Sequence, residues 1–345
     1  EKRLIMSDFL KQRLMTLATK KRTKIVLPEA GMDLRTLKAA ALLKKEDFCD
    51  VMLVGDTKKI NALAKANNVD IAGQEIVDPA TDDRLLAIVT EYQQRRAKEN
   101  LTDEQAAKVI SNPLYYAAML VSRGDADGMT AGAYNTTGNV LRASIKCIGT
   151  EKGIKTVSSF FLMTLPEGSE YGEHGTLVFA DCGVNPDPTD VQLADICIST
   201  ADTAAGLLGM EARVAMLSFS TKGSAKHESV DKVTSALAMV KERRPDIFID
   251  GELQADAALV KKVGEFKAPG SPVAGKANIL IFPNLDAGNI SYKLTQRLAN
   301  AEALGPILQG LAKSINDLSR GCSVEDIASV TVVTAAKANL LEGLK

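Results

Sequence analysis

The segment Asn316–Asp326 combines residue types that suit a helix cap with residue types that suit an anion site. Ser323 precedes Asp326 by three residues, ahead of an apolar run with helical spacing, which is a capping-box pattern. Ser319, Arg320 and a glycine stand just upstream, and a hydroxyl, a guanidinium and a flexible turn at a helix N-terminus can hold an anion. By itself the pattern favours a structural, capping role for Asp326 and leaves the anion site open.

A second polar loop follows a predicted strand at Gly128–Ala131. Its glycines lead to Asn135 and Thr136 at a predicted helix start, and Arg142 follows on that helix. Ordinary turn and cap chemistry explains this pattern as well as a binding loop does, so both readings stay open.

A third loop, Ser218–His227, follows the apolar run Val214–Leu217. Open α/β sheets bind ligands beyond the carboxyl ends of their strands, which makes this a candidate substrate loop. It has neither the Walker spacing nor GxGxxG, and a plain solvated turn is the alternative. The candidate binding residues in it are Ser220, Thr221, Lys222 and Gly223.

Two carboxylate-containing stretches, Asp250–Asp256 and Phe282–Asn289, also follow predicted strands. Carboxylates suggest Mg²⁺, but the spacing matches no dedicated metal loop, so we expect no metal. Asn284 and Asn289 are better suited to hydrogen-bonding a polar ligand or each other.

Neither histidine suggests a catalytic triad, because His174 lies in a glycine-rich stretch and His227 at a charged helix start. We therefore expect any general base to be a carboxylate. The five cysteines are odd in number, widely spaced and without a CxxC pair, which predicts reduced, mostly buried thiols.

These motifs must be positioned by strands and helices that alternate along the chain. Lys24–Pro28, a helix at Leu34–Lys45 and Val51–Val54 make a βαβ opening, which predicts a mainly parallel sheet. The sequence becomes rich in glycine and lysine near residues 149–155, and this change of composition predicts the start of a second α/β domain. We expect one domain from 1–150 plus 310–345 and another from 151–309, since the last helix has no strand after it and can return to the first domain.

The composition excludes several classes of function. The 42 basic and 43 acidic residues give a net charge of -1, so no overall basic field is present to hold nucleic acid or an anionic membrane. No stretch approaches about 18 consecutive apolar residues. The N-terminal residues 1–6 lack the apolar core of a signal peptide, so a cytoplasmic location is expected.

Together these motifs resemble the phosphate acetyltransferase (phosphotransacetylase) family, in its short, catalytic-only form. The matching stretches occur in the family's order and span nearly the whole chain. They are Leu27–Glu29, Ala126–Gly132, Leu141–Arg142, Met216–Ser224, Asp250–Asp256, Phe282–Asn289 and Asn316–Ser323.

The resemblance implies two α/β domains related in fold to the isocitrate and isopropylmalate dehydrogenases, with the active site in the cleft between them. It implies reversible acetyl transfer between acetyl-CoA and phosphate in acetate metabolism, with CoA as a substrate and without a permanently bound cofactor. The expected partners are CoA, acetyl phosphate and phosphate, and homodimers are usual in the family.

The resemblance also implies roles for individual residues. Asp326 matches the general base that takes the proton of the CoA thiol, and Ser319 matches the residue that steadies the thiolate or the tetrahedral species. Arg320 and Arg142 match phosphate-binding arginines. Arg95 matches a third one less securely, because Arg96 is adjacent.

Three alternatives remain at this stage. A phosphate butyryltransferase shares the fold and part of the pattern, and only the size of the acyl pocket separates the two. A metal- and NAD(P)-dependent dehydrogenase would need an aspartate cluster and a nucleotide loop that the sequence does not show. A non-catalytic acetyl-CoA-sensing domain would not need the intact set Ser319, Arg320 and Asp326.

Overall fold

The structure, a computed structural model, describes residues 8–343. The segment 1–6, from which the absence of a signal peptide was predicted, lies outside the described residues. The described chain divides into a first unit, residues 11–151 with 311–343, and a second unit, residues 8–10 with 152–310.

The chain alternates strands and helices. The strands, in chain order, are β1 Lys24–Leu27, β2 Asp50–Val54, β3 Glu75–Val77, β4 Gly128–Ala131, β5 Ser158–Thr164, β6 Thr176–Ala180, β7 Arg213–Leu217, β8 Phe248–Leu253, β9 Ile279–Ile281, β10 Glu302–Gln309 and β11 Ser314–Asp317. The helices are α1 Asp8–Ala18, α2 Leu34–Glu46, α3 Thr57–Ala66, α4 Leu85–Arg95, α5 Asp103–Ile110, α6 Pro113–Arg123, α7 Thr137–Cys147, α8 Asp190–Leu208, α9 Glu228–Arg243, α10 Ala255–Leu259, α11 Lys261–Lys267, α12 Leu285–Leu298 and α13 Val324–Gly343.

The helix boundaries follow from local capping chemistry. Asp33 caps α2 by accepting from the Arg35 N–H, and Asn112 caps α6, which begins with Pro113. Gly124 ends α6 in the left-handed conformation. Such local signals set where α2 and α6 begin and where α6 ends.

The sheet of the first unit has all described strands parallel, in the order β11-β4-β1-β2-β3. Val26 pairs with Met129, and Asp317 pairs with Ala131, so β1, β4 and β11 end side by side at one edge. The strand order reverses direction between β1 and β4, which is where open α/β sheets bind ligands. The first unit therefore brings the loops after β1, β4 and β11 to one place.

Helix α13 packs against β1, β4, β11 and α2 within the first unit. Its residues from Ile327 to Ala338 are buried without interruption, which explains why this helix is apolar on nearly all of its faces. This burial fixes the helix start, and with it the preceding turn.

The sheet of the second unit has the order β10-β5-β6-β9-β7-β8. Strand β5 pairs antiparallel with β10 and β6, and the other described pairs are parallel. One face of this sheet is packed with apolar side chains that include Phe161 and Tyr292, stacked with ring centroids 4.1 Å apart.

The prediction of an α/β fold with mainly parallel sheets is confirmed. Among the described residues, no helix combines the length and apolar character that crossing a membrane requires.

Candidate active site

Glu29, directly after β1, fixes the loop that follows β4. Its side chain is 1% exposed, and its carboxylate accepts the backbone N–H groups of Gly132, Ala133 and Asn135 at 2.8–3.0 Å. The side-chain amide of Asn135 also donates to Glu29, at 2.8 Å. The predicted binding residue Asn135 is therefore committed to shaping this loop, and the sequence reasoning missed Glu29 although it lies in the motif Leu27–Glu29.

The loops after β4 and β11 approach each other closely at Gly132. This glycine has φ +118°, and a Cβ there would lie 2.5 Å from both Asp317 Oδ1 and Leu318 N. Only glycine fits such a contact in this conformation. The close approach ties the positions of the two loops together.

The turn between β11 and α13 presents two of the predicted catalytic residues. Ser319 and Arg320 are exposed, and the turn is closed by the Cys322 N–H donating to the Ser319 carbonyl at 2.9 Å. The Gly321 N–H donates to Ser319 Oγ at 3.3 Å. A tight, hydrogen-bonded turn thus carries an exposed hydroxyl and an exposed guanidinium at the N-terminus of α13.

Asp326 lies in the first turn of α13 and forms the predicted reciprocal cap with Ser323. The Ser323 N–H and Oγ donate to Asp326 Oδ2 at 2.8 and 3.0 Å, and the Asp326 N–H donates to Ser323 Oγ at 3.0 Å. Within residues 8–343, Asp326 Oδ1 accepts no hydrogen bond. One carboxylate oxygen is thus held in place, while the other can accept a proton.

Asp317, the last residue of β11, is a buried carboxyl group that the sequence reasoning did not single out. Thr137 Oγ1 donates to its Oδ2 at 2.6 Å, and its Oδ1 has no partner in the described part of the chain. Burial raises the pKa of Asp317 to about 7, and the nearby charge of Glu29 acts in the same direction. This group is close to its titration midpoint near neutral pH.

Besides Arg320, the arginines named from the sequence are Arg142 and Arg95, and they occupy different environments in the first unit. Arg142 on α7 is exposed, and its Nη1 donates to Asn139 Oδ1 at 3.2 Å. Arg95 at the end of α4 donates to the Ile148 carbonyl at 3.5 Å, and no carboxylate among the described residues pairs with it. The neighbouring Arg96 is paired with Glu99. Arg95 is therefore the more available of the two adjacent guanidiniums.

Thr136, another predicted binding residue, caps α7. Its Oγ1 accepts from the Asn139 N–H at 3.3 Å, which sets the start of the helix that carries Arg142. Its hydroxyl therefore already has a structural partner within the first unit.

In the second unit, the loop after β7 is held by Glu252 of β8. Ser220 Oγ and the Gly223 N–H donate to Glu252 Oε1 at 2.7 and 2.8 Å, and Ser220 is fully buried. Lys222 Nζ contacts Asp250 and the Gly251 carbonyl. The side chains of Lys222 and Asp250 thus form an ion pair beside the loop.

Thr221 in the same loop is 5% exposed and is bound to Gln254, whose N–H donates to Thr221 Oγ1 at 2.9 Å. The hydroxyls of Ser220 and Thr221 thus maintain the shape of the loop, while Lys222 and Gly223 are exposed.

The two asparagines named from the sequence have separate partners. Asn284 caps α12 by accepting from the Ala287 N–H at 3.0 Å, and Asn289 Nδ2 donates to the Cys182 carbonyl at 3.0 Å. Of the two alternatives predicted for this pair, a bond to each other is not present among the described residues, and a bond to a polar ligand stays a prediction.

The prediction of mostly buried cysteines is confirmed, and the two histidines lie at the surface. His174 and His227 are exposed, and His227 caps α9. The five cysteines are free and buried. Among the described residues, no group of three or more histidines, cysteines or carboxylates could hold a metal ion.

A sequence model of the phosphate acetyl/butaryl transferase family matches residues 9–335. The chain belongs to this family. A phosphate acetyltransferase of Thermoanaerobacterium thermosaccharolyticum is 50% identical over 327 residues, which cover 95% of this chain and 98% of that protein. The family resemblance predicted from the motifs is thus confirmed.

Solved structures extend this relationship to the fold. A phosphotransacetylase from Streptococcus pyogenes matches with a TM-score of 0.90 and 41% identity, covering 96% of this chain and 99% of that chain. A putative 4-hydroxythreonine-4-phosphate dehydrogenase from Salmonella typhimurium matches with a TM-score of 0.51 at 11% identity over 92% of this chain and 100% of that chain, which shows a shared fold alone. The predicted likeness of the family fold to dehydrogenases is confirmed at this level.

Proposed function

We propose that this chain is an acyltransferase of acetate metabolism that converts acetyl-CoA and phosphate reversibly into CoA and acetyl phosphate. Relatives about 50% identical over nearly their full length carry the name phosphate acetyltransferase. That extent of similarity favours the acetyl reaction over the butyryl alternative.

The observation that carries the chemistry is the state of the Asp326 carboxylate. Ser323 holds Oδ2, while Oδ1 is left without a hydrogen bond among the described residues. A thiol has a pKa of about 8.5 and is mostly protonated at neutral pH, so a fixed carboxylate oxygen is useful as a base. Asp326 takes the proton from the CoA thiol in this proposal.

The thiolate sulfur attacks the acetyl carbonyl, a C–S bond forms, and the bond from carbonyl carbon to phosphate oxygen breaks. Ser319 steadies the thiolate or the tetrahedral species by hydrogen bonding. Arg320 and Arg142 neutralise phosphate charge, and Arg95 serves as a third phosphate contact, since guanidinium binds phosphate oxygens in pairs.

Direct transfer in a ternary complex needs no acyl-enzyme. Cys322 is the cysteine next to the proposed base, but burial raises the pKa of its thiol to about 12, which leaves it protonated and a poor nucleophile. In this proposal CoA binds as a substrate, whose thiol receives the acetyl group directly, and it is not a resident cofactor.

The loop after β7 remains a proposed substrate-binding element. Lys222 and Gly223 are exposed and are its contact residues, while Ser220 and Thr221 set its shape. Asn284 and Asn289 support the start of α12 and act on substrate only through that support.

We also propose that the chain acts in the cytoplasm as a homodimer. Ile290, Leu294 and Leu298 are spaced four residues apart on α12, so they share one face, and all three are exposed. An exposed apolar stripe of this kind suits a two-fold contact in which the same helix packs on its copy.

One assay tests the proposed reaction. The pure protein is mixed with CoA and each of acetyl, propionyl and butyryl phosphate, without added metal or NAD, and thioester formation is followed by ultraviolet absorbance. Acetyl phosphate should be the best substrate. A clear preference for butyryl phosphate would transfer the proposal to the butyryl reaction, and thioester from none of them would end it.

A further inference from the structure

Arg35 lies in the first turn of α2, and its guanidinium reaches three backbone carbonyls outside that helix. Nη1 donates to the carbonyls of Arg320 at 2.9 Å and Cys322 at 2.7 Å, and Nη2 donates to the carbonyl of Ala133 at 2.8 Å. The first two belong to the turn between β11 and α13, and the third belongs to the loop after β4. One side chain therefore joins the two loops that carry proposed active-site residues of the first unit.

Asp33 fixes the orientation of this guanidinium. Arg35 Nε and Nη2 donate to Asp33 Oδ1 and Oδ2 at 3.0 and 2.6 Å, so the two groups form a bidentate pair. With three carbonyls and one carboxylate as acceptors, both terminal nitrogens and Nε are engaged. The planar guanidinium of arginine places N–H donors in all these directions, whereas the ammonium group of a lysine cannot reach all of these acceptors at once.

Two side chains bind the loop after β4 at a single residue, Ala133. The Ala133 N–H donates to Glu29 Oε2 at 2.9 Å, and the Ala133 carbonyl accepts from Arg35. A buried carboxylate and a guanidinium thus hold the two polar groups of a single residue, which leaves this loop little freedom to shift relative to Arg35.

We propose that Arg35 is a positioning residue for acetyl transfer, which sets the turn bearing Ser319 and Arg320 against the loop after β4. Arg35 touches no substrate in this proposal and acts through the backbone of Arg320 and Cys322. The proposal rests on the proposed function, since the turn matters only if its side chains act on acetyl phosphate and CoA.

The structure supplies a matched control in Arg84. Arg84 forms the same local pair with Asp82, with Nε to Oδ1 at 3.0 Å, Nη2 to Oδ2 at 2.7 Å and the Arg84 N–H to Oδ1 at 2.9 Å. The side chains of Arg84 and Arg35 are similarly exposed, at 31% and 32%. In the described part of the chain, no hydrogen bond joins the Arg84 guanidinium to a backbone carbonyl.

The experiment compares Arg35→Lys with Arg84→Lys in thioester formation. Displacement of reacting groups by about 1 Å can cost about 100-fold in rate, so Arg35→Lys should lower kcat roughly 10- to 100-fold. The KM for either substrate should change less than kcat. Arg84→Lys should keep kcat within about twofold, and its loss of thermal stability should not exceed that of Arg35→Lys, because the Arg84 guanidinium loses no bond to a backbone carbonyl.

Hydrogen exchange of the peptide covering 318–326 supplies a readout that does not depend on activity. Loss of the bonds to the Arg320 and Cys322 carbonyls should speed exchange there about tenfold or more, because charge-assisted bonds of this kind are worth more than about 1.4 kcal/mol. Arg84→Lys should leave exchange in this peptide unchanged.

The outcomes separate this proposal from the proposed function. Equal kcat in the two variants, or unaltered exchange at 318–326 in Arg35→Lys, would overturn the positioning role. If wild-type protein forms no thioester, the proposed function fails by itself, and the exchange comparison alone decides whether Arg35 holds the turn.

Discussion

Replacing Asp317 by asparagine should remove a large pH dependence from the stability of the first unit. The Asp317 carboxyl is fully buried at the end of β11, and burial raises its pKa to about 7. In the unfolded chain the pKa of an aspartate is about 3.9. The folded state therefore binds this proton more tightly than the unfolded state does.

The sign and size of the effect follow from this difference in pKa. The stabilising contribution of protonated Asp317 is fully present below about pH 4 and is lost as the pH rises through about 7. Roughly three pKa units at about 1.36 kcal/mol each give a change on the order of 4 kcal/mol. The asparagine of the variant does not titrate, and its side-chain oxygen can still accept from Thr137 Oγ1.

The assay is the free energy of unfolding of wild type and Asp317→Asn between about pH 4.5 and 8, followed by hydrogen exchange of peptides covering β4 and β11. These peptides report on the first unit even if the two units unfold separately. The wild type should lose stability relative to the variant as the pH rises, by a few kcal/mol in total.

Asp82→Asn is the matched control. Burial by itself would raise the pKa of Asp82, but hydrogen bonds from Arg84 lower it to about 2. The contribution of the ionised Asp82 side chain to stability is therefore lost only below about pH 4. Its difference from wild type should be constant across the same pH range. A constant difference for Asp317→Asn as well would refute the raised pKa of Asp317, and a difference of opposite slope would show that the folded state prefers the carboxylate.

Two further predictions concern substrate binding and assembly. Arg142→Ala and Arg95→Ala should each raise the KM for a phosphate-bearing substrate about tenfold or more in steady-state kinetics. Arg96→Ala is the control, because it removes only an ion pair with Glu99 and should leave the KM unchanged. An unchanged KM in Arg142→Ala or Arg95→Ala would exclude that residue from the site. Leu298→Glu should convert a dimer to a monomer in sedimentation while the fold is retained, because it places a charge in the apolar stripe of α12; a wild-type monomer would contradict the proposed contact.

Much of the fold was predictable because its signals are local. Short apolar runs marked β1, β2 and β7, and the helix predicted at Leu34–Lys45 agrees with α2 to within one residue. The cap formed by Ser323 and Asp326 was predicted for the same reason, since both partners lie within one helical turn.

The strand β11 was not predicted, because Ser-Ile-Asn-Asp has no apolar run. Two of its buried polar side chains have partners on α13: Ser314 Oγ donates to the Thr334 carbonyl at 2.8 Å, and Asn316 Nδ2 donates to Thr334 Oγ1 at 2.8 Å. Tertiary contacts of this kind leave no periodic trace in the sequence.

The supporting residues of the site were missed for a related reason. Glu29 and Arg35 lie about 100 and 285 residues from the loops that they hold, as in the bond of Asn135 to Glu29 and that of Arg35 to Arg320. An acidic residue after a strand and a basic residue in a first helical turn are common. Only the sheet order, with β1 next to β4 and β4 next to β11, brings them to the site.

The most direct measurement of the central claim compares Asp326→Asn with Ser323→Ala in thioester formation and in thermal unfolding. The side chain introduced by Asp326→Asn can still accept the bonds from Ser323 but cannot take a proton, so kcat should fall about 100-fold or more with little loss of stability. Ser323→Ala keeps the carboxylate and should cost about 1 kcal/mol of stability with a much smaller loss of kcat. The reverse pattern, in which Asp326→Asn keeps kcat within about tenfold but loses stability, would show that Asp326 is only a helix cap and would contradict its role as the base.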